Sequence, residues 1–166
     1  MTSHATTPGN VKTDSRFIRF TVIAGVVAAA AAFLSQLAGL PAWAMFIGWV
    51  AWFTRPASTR QGVYSIISLW AGVLLATAGT FIVAWLSPVV GAVALPISVF
   101  LLALVAVGLR ATTILGNTLT WFLGLIAFFA LHPDNPLTGI LTLVAAGAIG
   151  AVAGFTSQRL QHRYAS

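Results

Sequence analysis

The sequence predicts an all-α integral membrane protein of six transmembrane helices arranged as two inverted three-helix repeats. Three observations lead there. Of its 166 residues 59% are apolar and 6% are charged, and the charged share is about a quarter of that in a soluble domain. The apolar residues fall into long runs ended by Pro, Gly or Arg. One eight-residue pattern also occurs twice, 76 residues apart. A chain this short cannot hide so much apolar side chain in a water-facing fold, because small domains keep a large surface. A soluble enzyme, a nucleic-acid binder and a disordered chain are excluded. The net charge of +6 would suggest nucleic acid in a soluble protein, but these charges sit at the ends of apolar runs. There are no cysteines, which removes disulfides, thiolate metal sites and cysteine nucleophiles.

The elements follow in order. Met1 to Ser15 is polar and without apolar period, and is expected to be a disordered cytoplasmic tail. Residues 16–158 form one six-helix membrane domain, split into halves at about 16–87 and 88–158. Its runs are Phe17 to Leu37, Trp43 to Thr54, Val63 to Leu86, Val89 to Leu109, Thr112 to Leu131 and Leu137 to Phe155. Ser87-Pro88 is expected to break the chain between the third and fourth. Residues 159–166 read as a basic cytoplasmic tail. About 20 helical residues cross the hydrocarbon core, and five runs are long enough. The Trp43 run is either a short tilted span or a re-entrant half-helix. Strands are excluded, because a lipid-facing barrel needs alternating polarity.

With six crossings and a cytoplasmic N-terminus, Lys12, Arg16, Arg19, Arg55, Arg60, Arg110, Arg159 and Arg163 all fall on the cytoplasmic side. That is the positive-inside pattern without exception. A re-entrant second run would strand Arg55 and Arg60 outside, so it is disfavoured.

The repeated pattern is Phe46-Ile47-Gly48-Trp49-Val50-Ala51-Trp52-Phe53 against Phe122-Leu123-Gly124-Leu125-Ile126-Ala127-Phe128-Phe129. Three crossings per half would place the second half upside down relative to the first. Short or Gly-interrupted segments at matching positions of such halves point to the solute path. No charge sits near the middle of a run, which argues against a proton relay, an ion-coupled pump or a voltage sensor. The candidate pore-lining or solute-binding residues are therefore neutral: Thr113, Asn117, Thr120 and Gly124 on one expected helical face, with Gly48, Phe46, Trp49, Trp121 and Phe122. Asn117 is the costliest to bury without a partner. It either lines a wet path or bonds to another helix. No catalytic constellation, metal-ligand cluster or phosphate-cradling loop is present, so no enzyme activity, metal or cofactor is expected.

At Trp43-Ala44-x-Phe46-Ile47-Gly48-x-x-Ala51-Trp52-Phe53-x-x-Pro56, ending in Gly62, the chain resembles the YcdZ-like small bacterial inner-membrane proteins, a family of unknown function. Phe122-Leu123-Gly124-x-x-Ala127-Phe128-Phe129-Ala130 is similar to that family's later segment. The resemblance covers roughly Val22 to Gly154. It implies the bacterial inner membrane and a helical fold, and brings no substrate or cofactor. The family's Pro-Gly before the second signature is replaced here around Gly116-Asn117-Thr118. The function expected is a channel or facilitator for a small, mostly neutral polar solute of the urea, amide, ammonia or water class, acting as a homo-oligomer in the lipid bilayer without nucleic acid. The alternatives are a non-transporting membrane subunit or scaffold, and a small secondary transporter, which would need Arg110 or Arg19 to reach the path.

Overall fold

The computed structural model describes residues 15–164. Lys12 and the expected tail up to residue 14 lie outside the described residues. Within them the chain is helical: α1 (Ser15–Leu37), α2 (Ala42–Trp52), α3 (Thr59–Val90), α4 (Ala94–Gly108), α5 (Thr118–Leu131) and α6 (Pro136–Tyr164), with single 3-10 turns at Gly91–Val93 and Leu109–Ala111. Three helical stretches are long and apolar enough to cross a membrane: Ser15–Leu37, Thr59–Ala111 and Pro136–Tyr164. This is compatible with a membrane protein. The segment expected as a basic tail continues α6 through Tyr164.

Local chemistry sets the ends. Ser58 caps α3 by accepting the Gln61 N–H at 3.2 Å, and Asn135 caps α6 by accepting the Leu137 N–H at 2.8 Å. Pro136 takes the first position of α6, where its missing N–H costs nothing. His132, left-handed at φ 47°, ends α5 just before Pro133.

Two expectations are corrected here. Ser87-Pro88 does not break the chain, because Pro88 lies inside α3 and the turn falls at Gly91, where φ is +57°. Near a helix end proline forfeits only one ladder bond, whereas glycine takes a positive φ without strain. The fifth run is not a full-length helix. α5 has 14 residues, about 21 Å of helix against a hydrocarbon core of about 30 Å. α2, with 11 residues, is shorter still.

The short helices pack on long ones distant in sequence, α2 on α6 and α5 on α3. α2 crosses α6 with Gly48 on the main chain of Gly147, and Gly150 on the main chain of Met45 and Gly48. α5 crosses α3 with Gly124 on the main chain of Leu69 and Gly72, and Gly72 on the carbonyl of Trp121. Only glycine lets backbones approach so closely. Between the long helices, Leu69, Val73, Ala76, Leu143 and Ala146 are buried and fill the seam. α1 lies outside against α6 and α4 outside against α3. α4 doubles back along α3, with the Ser98 hydroxyl donating to the Gly79 carbonyl at 3.2 Å.

Three bonds gather the described arginines at one end. Gln161 donates to the Phe20 carbonyl at 3.4 Å, joining the start of α1 (Arg16, Arg19) to the end of α6 (Arg159, Arg163). Trp52 donates from Nε1 to Gln158 Oε1 at 2.8 Å, bringing in the end of α2. Arg55 in turn reaches the Thr113 carbonyl at 2.9 Å, three residues after Arg110.

Candidate functional site

The site lies at this arginine-rich end, where the chain is unwound between Thr112 and Asn117. Non-helical backbone beside a bilayer needs side chains to satisfy its carbonyls. Here they come from three elements. Arg55, in the loop after α2, donates to the carbonyls of Thr113 at 2.9 Å and Ile114 at 3.2 Å, and to Gln61 Oε1 at 3.1 Å. Ser68 on α3 donates to the Ile114 carbonyl at 3.2 Å. Trp121 on α5 donates from Nε1 to the Leu115 carbonyl at 2.8 Å. Three successive carbonyls are thus held. Gly116 permits the tight turn, since a side chain there would strike the carbonyl of Thr112.

Beneath the loop lies a neutral polar cluster. Asn117, 7% exposed, donates from Nδ2 to the hydroxyls of Thr54 at 2.6 Å and Ser65 at 3.0 Å. Thr54 lies 3.1 Å from Ser65 and donates to the Ala51 carbonyl at 2.7 Å. Thr120, fully buried, returns its hydroxyl to the Asn117 carbonyl at 2.9 Å. Hydrogen bonds of this kind contribute roughly 1 kcal/mol each, while a buried partner left unpaired costs about 1–3 kcal/mol. Asn117, Thr54, Ser65 and Thr120 thus find their partners in one another and in nearby carbonyls. The cluster brings no acid–base pair together.

The expected site residues divide into three groups. Asn117, Thr120 and Trp121 meet in this cluster, and Thr113 contributes its carbonyl while its side chain is exposed. Gly48 and Gly124 sit at the helix crossings. Phe46 and Trp49 line a lateral groove between α1 and α2, and Phe122 lines one between α4 and α5. The expectation that Thr113, Asn117, Thr120 and Gly124 share one helical face is corrected: α5 begins at Thr118, so the first two are not helical. In the sequence the charges of Arg55 and Arg60 read first as topology, ahead of lipid or nucleic-acid recognition. Thr54, Gln61, Tyr64, Ser65 and Ser68 were not singled out. Ser65 and Ser68 stand three apart in an apolar span, and that spacing, which shares a helix face, is the signal that finds them. Among the described residues no group of three His, Cys, Asp or Glu is placed to hold a metal.

Comparison with known proteins adds a family but no precedent for the chemistry. No curated protein and no solved structure matches the chain. The family model described as "Protein of unknown function (DUF1097)" matches residues 21–162. With most of its length and the whole site inside that match, the chain belongs to this uncharacterised family.

Proposed function

We propose that the protein is a membrane facilitator for a small, mostly neutral polar solute of the urea, amide, ammonia or water class, with its polar constriction at Asn117, Thr54 and Ser65. In this reading six crossings form two inverted three-helix halves, the arginine end faces the cytoplasm with both termini, and the chain works as a homo-oligomer. The likeness to the YcdZ-like proteins supports a bacterial inner membrane. No enzymatic step is assigned.

Support for two related halves comes from contacts that survive exchange of one half for the other. Gly48 on Gly147 corresponds to Gly124 on Leu69, and Gly150 on Met45 to Gly72 on Trp121. Gly62 against the Trp52 ring corresponds to Gly139 against the Phe128 ring. α2 and α5 correspond at a spacing of 76 residues, while Gly72 and Gly150 are 78 apart. The observation that carries the functional reading is where the halves differ. Counted by the 76 spacing, Pro41 and Ala130 stand where Asn117 and Thr54 stand at the other end, while Ser65 falls opposite Thr142 by the 77 spacing of Gly62 and Gly139 and opposite Leu143 by the 78 spacing of Gly72 and Gly150. The Asn117 end holds three convergent neutral polar groups bonded to one another, whereas the opposite end carries His132, Asp134, Asn135, Thr138 and Thr142. Such discontinuous helices in paired halves are where membrane transporters place their sites.

Stopped-flow uptake into proteoliposomes tests this across the solute panel. Faster flux than in empty vesicles, altered by Asn117→Leu, is the expected result. No solute passing faster than in empty vesicles overturns it.

A second reading, a non-transporting subunit or scaffold, is favoured by the filled seam of the single chain and by grooves that open sideways. Affinity capture in mild detergent that returns a stoichiometric partner supports it. A secondary transporter for a small anion would need Arg110 or Arg19 to reach the path, and the Arg19 guanidinium is bonded to the Ser15 carbonyl on its own helix.

A further inference from the structure

The lateral groove between α1 and α2 has a volume of about 770 Å3. It runs from Ala28 and Phe46 to Thr21 and Thr54, and so ends at the arginine-rich end. Phe46 and Trp49 stack with ring centroids 6.0 Å apart and form one wall. Gly25 keeps the other wall low, since a side chain there would meet nothing within 4 Å. Directly after Thr54 comes Arg55. The Arg55 and Arg60 guanidinium carbons lie 6.0 and 5.3 Å from the centre of the Tyr64 ring, and Arg60 donates to the Tyr64 hydroxyl at 2.8 Å. Asp134, the acidic residue among the described ones, is in the loop after α5 at the opposite end. Arg60 uses its Nε on Tyr64 and turns its exposed terminal nitrogens to an outside anion, and Arg55, three of whose N–H groups hold Thr113, Ile114 and Gln61, adds its charge and its remaining N–H groups.

The groove between α4 and α5 serves as an internal control. It has a volume of about 490 Å3, with Phe122, Leu125 and Phe129 in the places of Phe46, Trp49 and Phe53. Its mouth carries His132 and no arginine. Neither lining includes an arginine; the grooves differ in where they end, one at Thr54, next in sequence to Arg55, and the other at His132.

We infer that the α1–α2 groove binds an acyl chain of an anionic phospholipid whose phosphate is held by Arg55 and Arg60 around Tyr64. The inference rests on the membrane location and on these contacts, not on any solute passing. Each basic residue near an anionic lipid surface raises its attraction about five-fold.

Tryptophan fluorescence of the full chain in phosphatidylcholine vesicles tests it, with bromine-labelled acyl chains on either phosphatidylglycerol or phosphatidylcholine. The difference between wild type and Trp49→Phe isolates the groove. Quenching of Trp49 is expected at a lower mole fraction of labelled phosphatidylglycerol, with the preference reduced about five-fold by Arg60→Gln. Raised salt weakens the preference in the unaltered chain, and Gly25→Leu removes quenching by both lipids. Equal quenching by the two lipids overturns the inference, as does a preference indifferent to both salt and Arg60→Gln. Loss of the preference on adding inorganic phosphate at constant ionic strength also overturns it, assigning the arginines to a soluble anion.

Discussion

The Arg55 guanidinium lies 2.9 Å from the main-chain carbonyl of Thr113, a residue 58 positions later in the chain. This bond ties the loop after α2 to the unwound approach to α5. Arg55→Gln is expected to free the Thr113 carbonyl, leave the Ile114 carbonyl to Ser68 alone and lower stability by about 1–2 kcal/mol. Hydrogen exchange over residues 112–117 should rise while exchange in α3 and α6 stays unchanged. Unchanged exchange in that segment would show that the bond does not hold it.

The glycine crossings predict a sharp contrast. Gly48→Ala and Gly124→Ala place a methyl group on facing backbone atoms, and each should cost about 3 kcal/mol, the upper range for overpacking. Gly25→Ala meets open space and should raise stability by up to about 1 kcal/mol through helix propensity. Thermal melting in detergent measures all three.

The polar cluster predicts a separation of folding from flux. Replacing every partner at once, with Thr54→Ala, Ser65→Ala and Asn117→Leu together, leaves no buried group unpaired and should change stability by less than about 1 kcal/mol. Solute uptake should change. A triple variant with unaltered flux would assign the cluster to packing alone.

Single cysteines are clean reporters because the chain has none of its own. In whole cells an impermeant maleimide should label Ser87→Cys and Asn135→Cys, and should leave Ser58→Cys and Thr113→Cys unlabelled. The reverse pattern would invert the assigned orientation.

His132 holds a left-handed backbone at φ 47° with a full side chain. His132→Gly should relieve this strain and raise stability by about 1 kcal/mol, measured by the same melts.

The helical class was legible because apolar runs closed by Pro, Gly or Arg leave little else available. Gly48 and Gly124 were legible as a matched pair, though not as crossing points, since the pairing of α2 with α6 and of α5 with α3 is set by distant backbone. The unwinding of residues 112–117 was hidden, because Thr112, Thr113, Ile114 and Leu115 run on into the apolar residues of α5, and what stabilises the open backbone is donated by Arg55, Ser68 and Trp121 from elsewhere. Asn117 stood out because an amide in an apolar run demands a partner. Its partners Thr54 and Ser65 did not, because a hydroxyl can satisfy itself on its own helix.

The bond from Gln161 to Phe20 has a practical consequence. It sets the first turns of α1 beside the last turns of α6, so a short peptide can bridge the outermost helices. A circularly permuted gene opened near Gly91 would then encode the second triplet of helices ahead of the first. A permutant that still folds would mean the order of synthesis is immaterial to assembly.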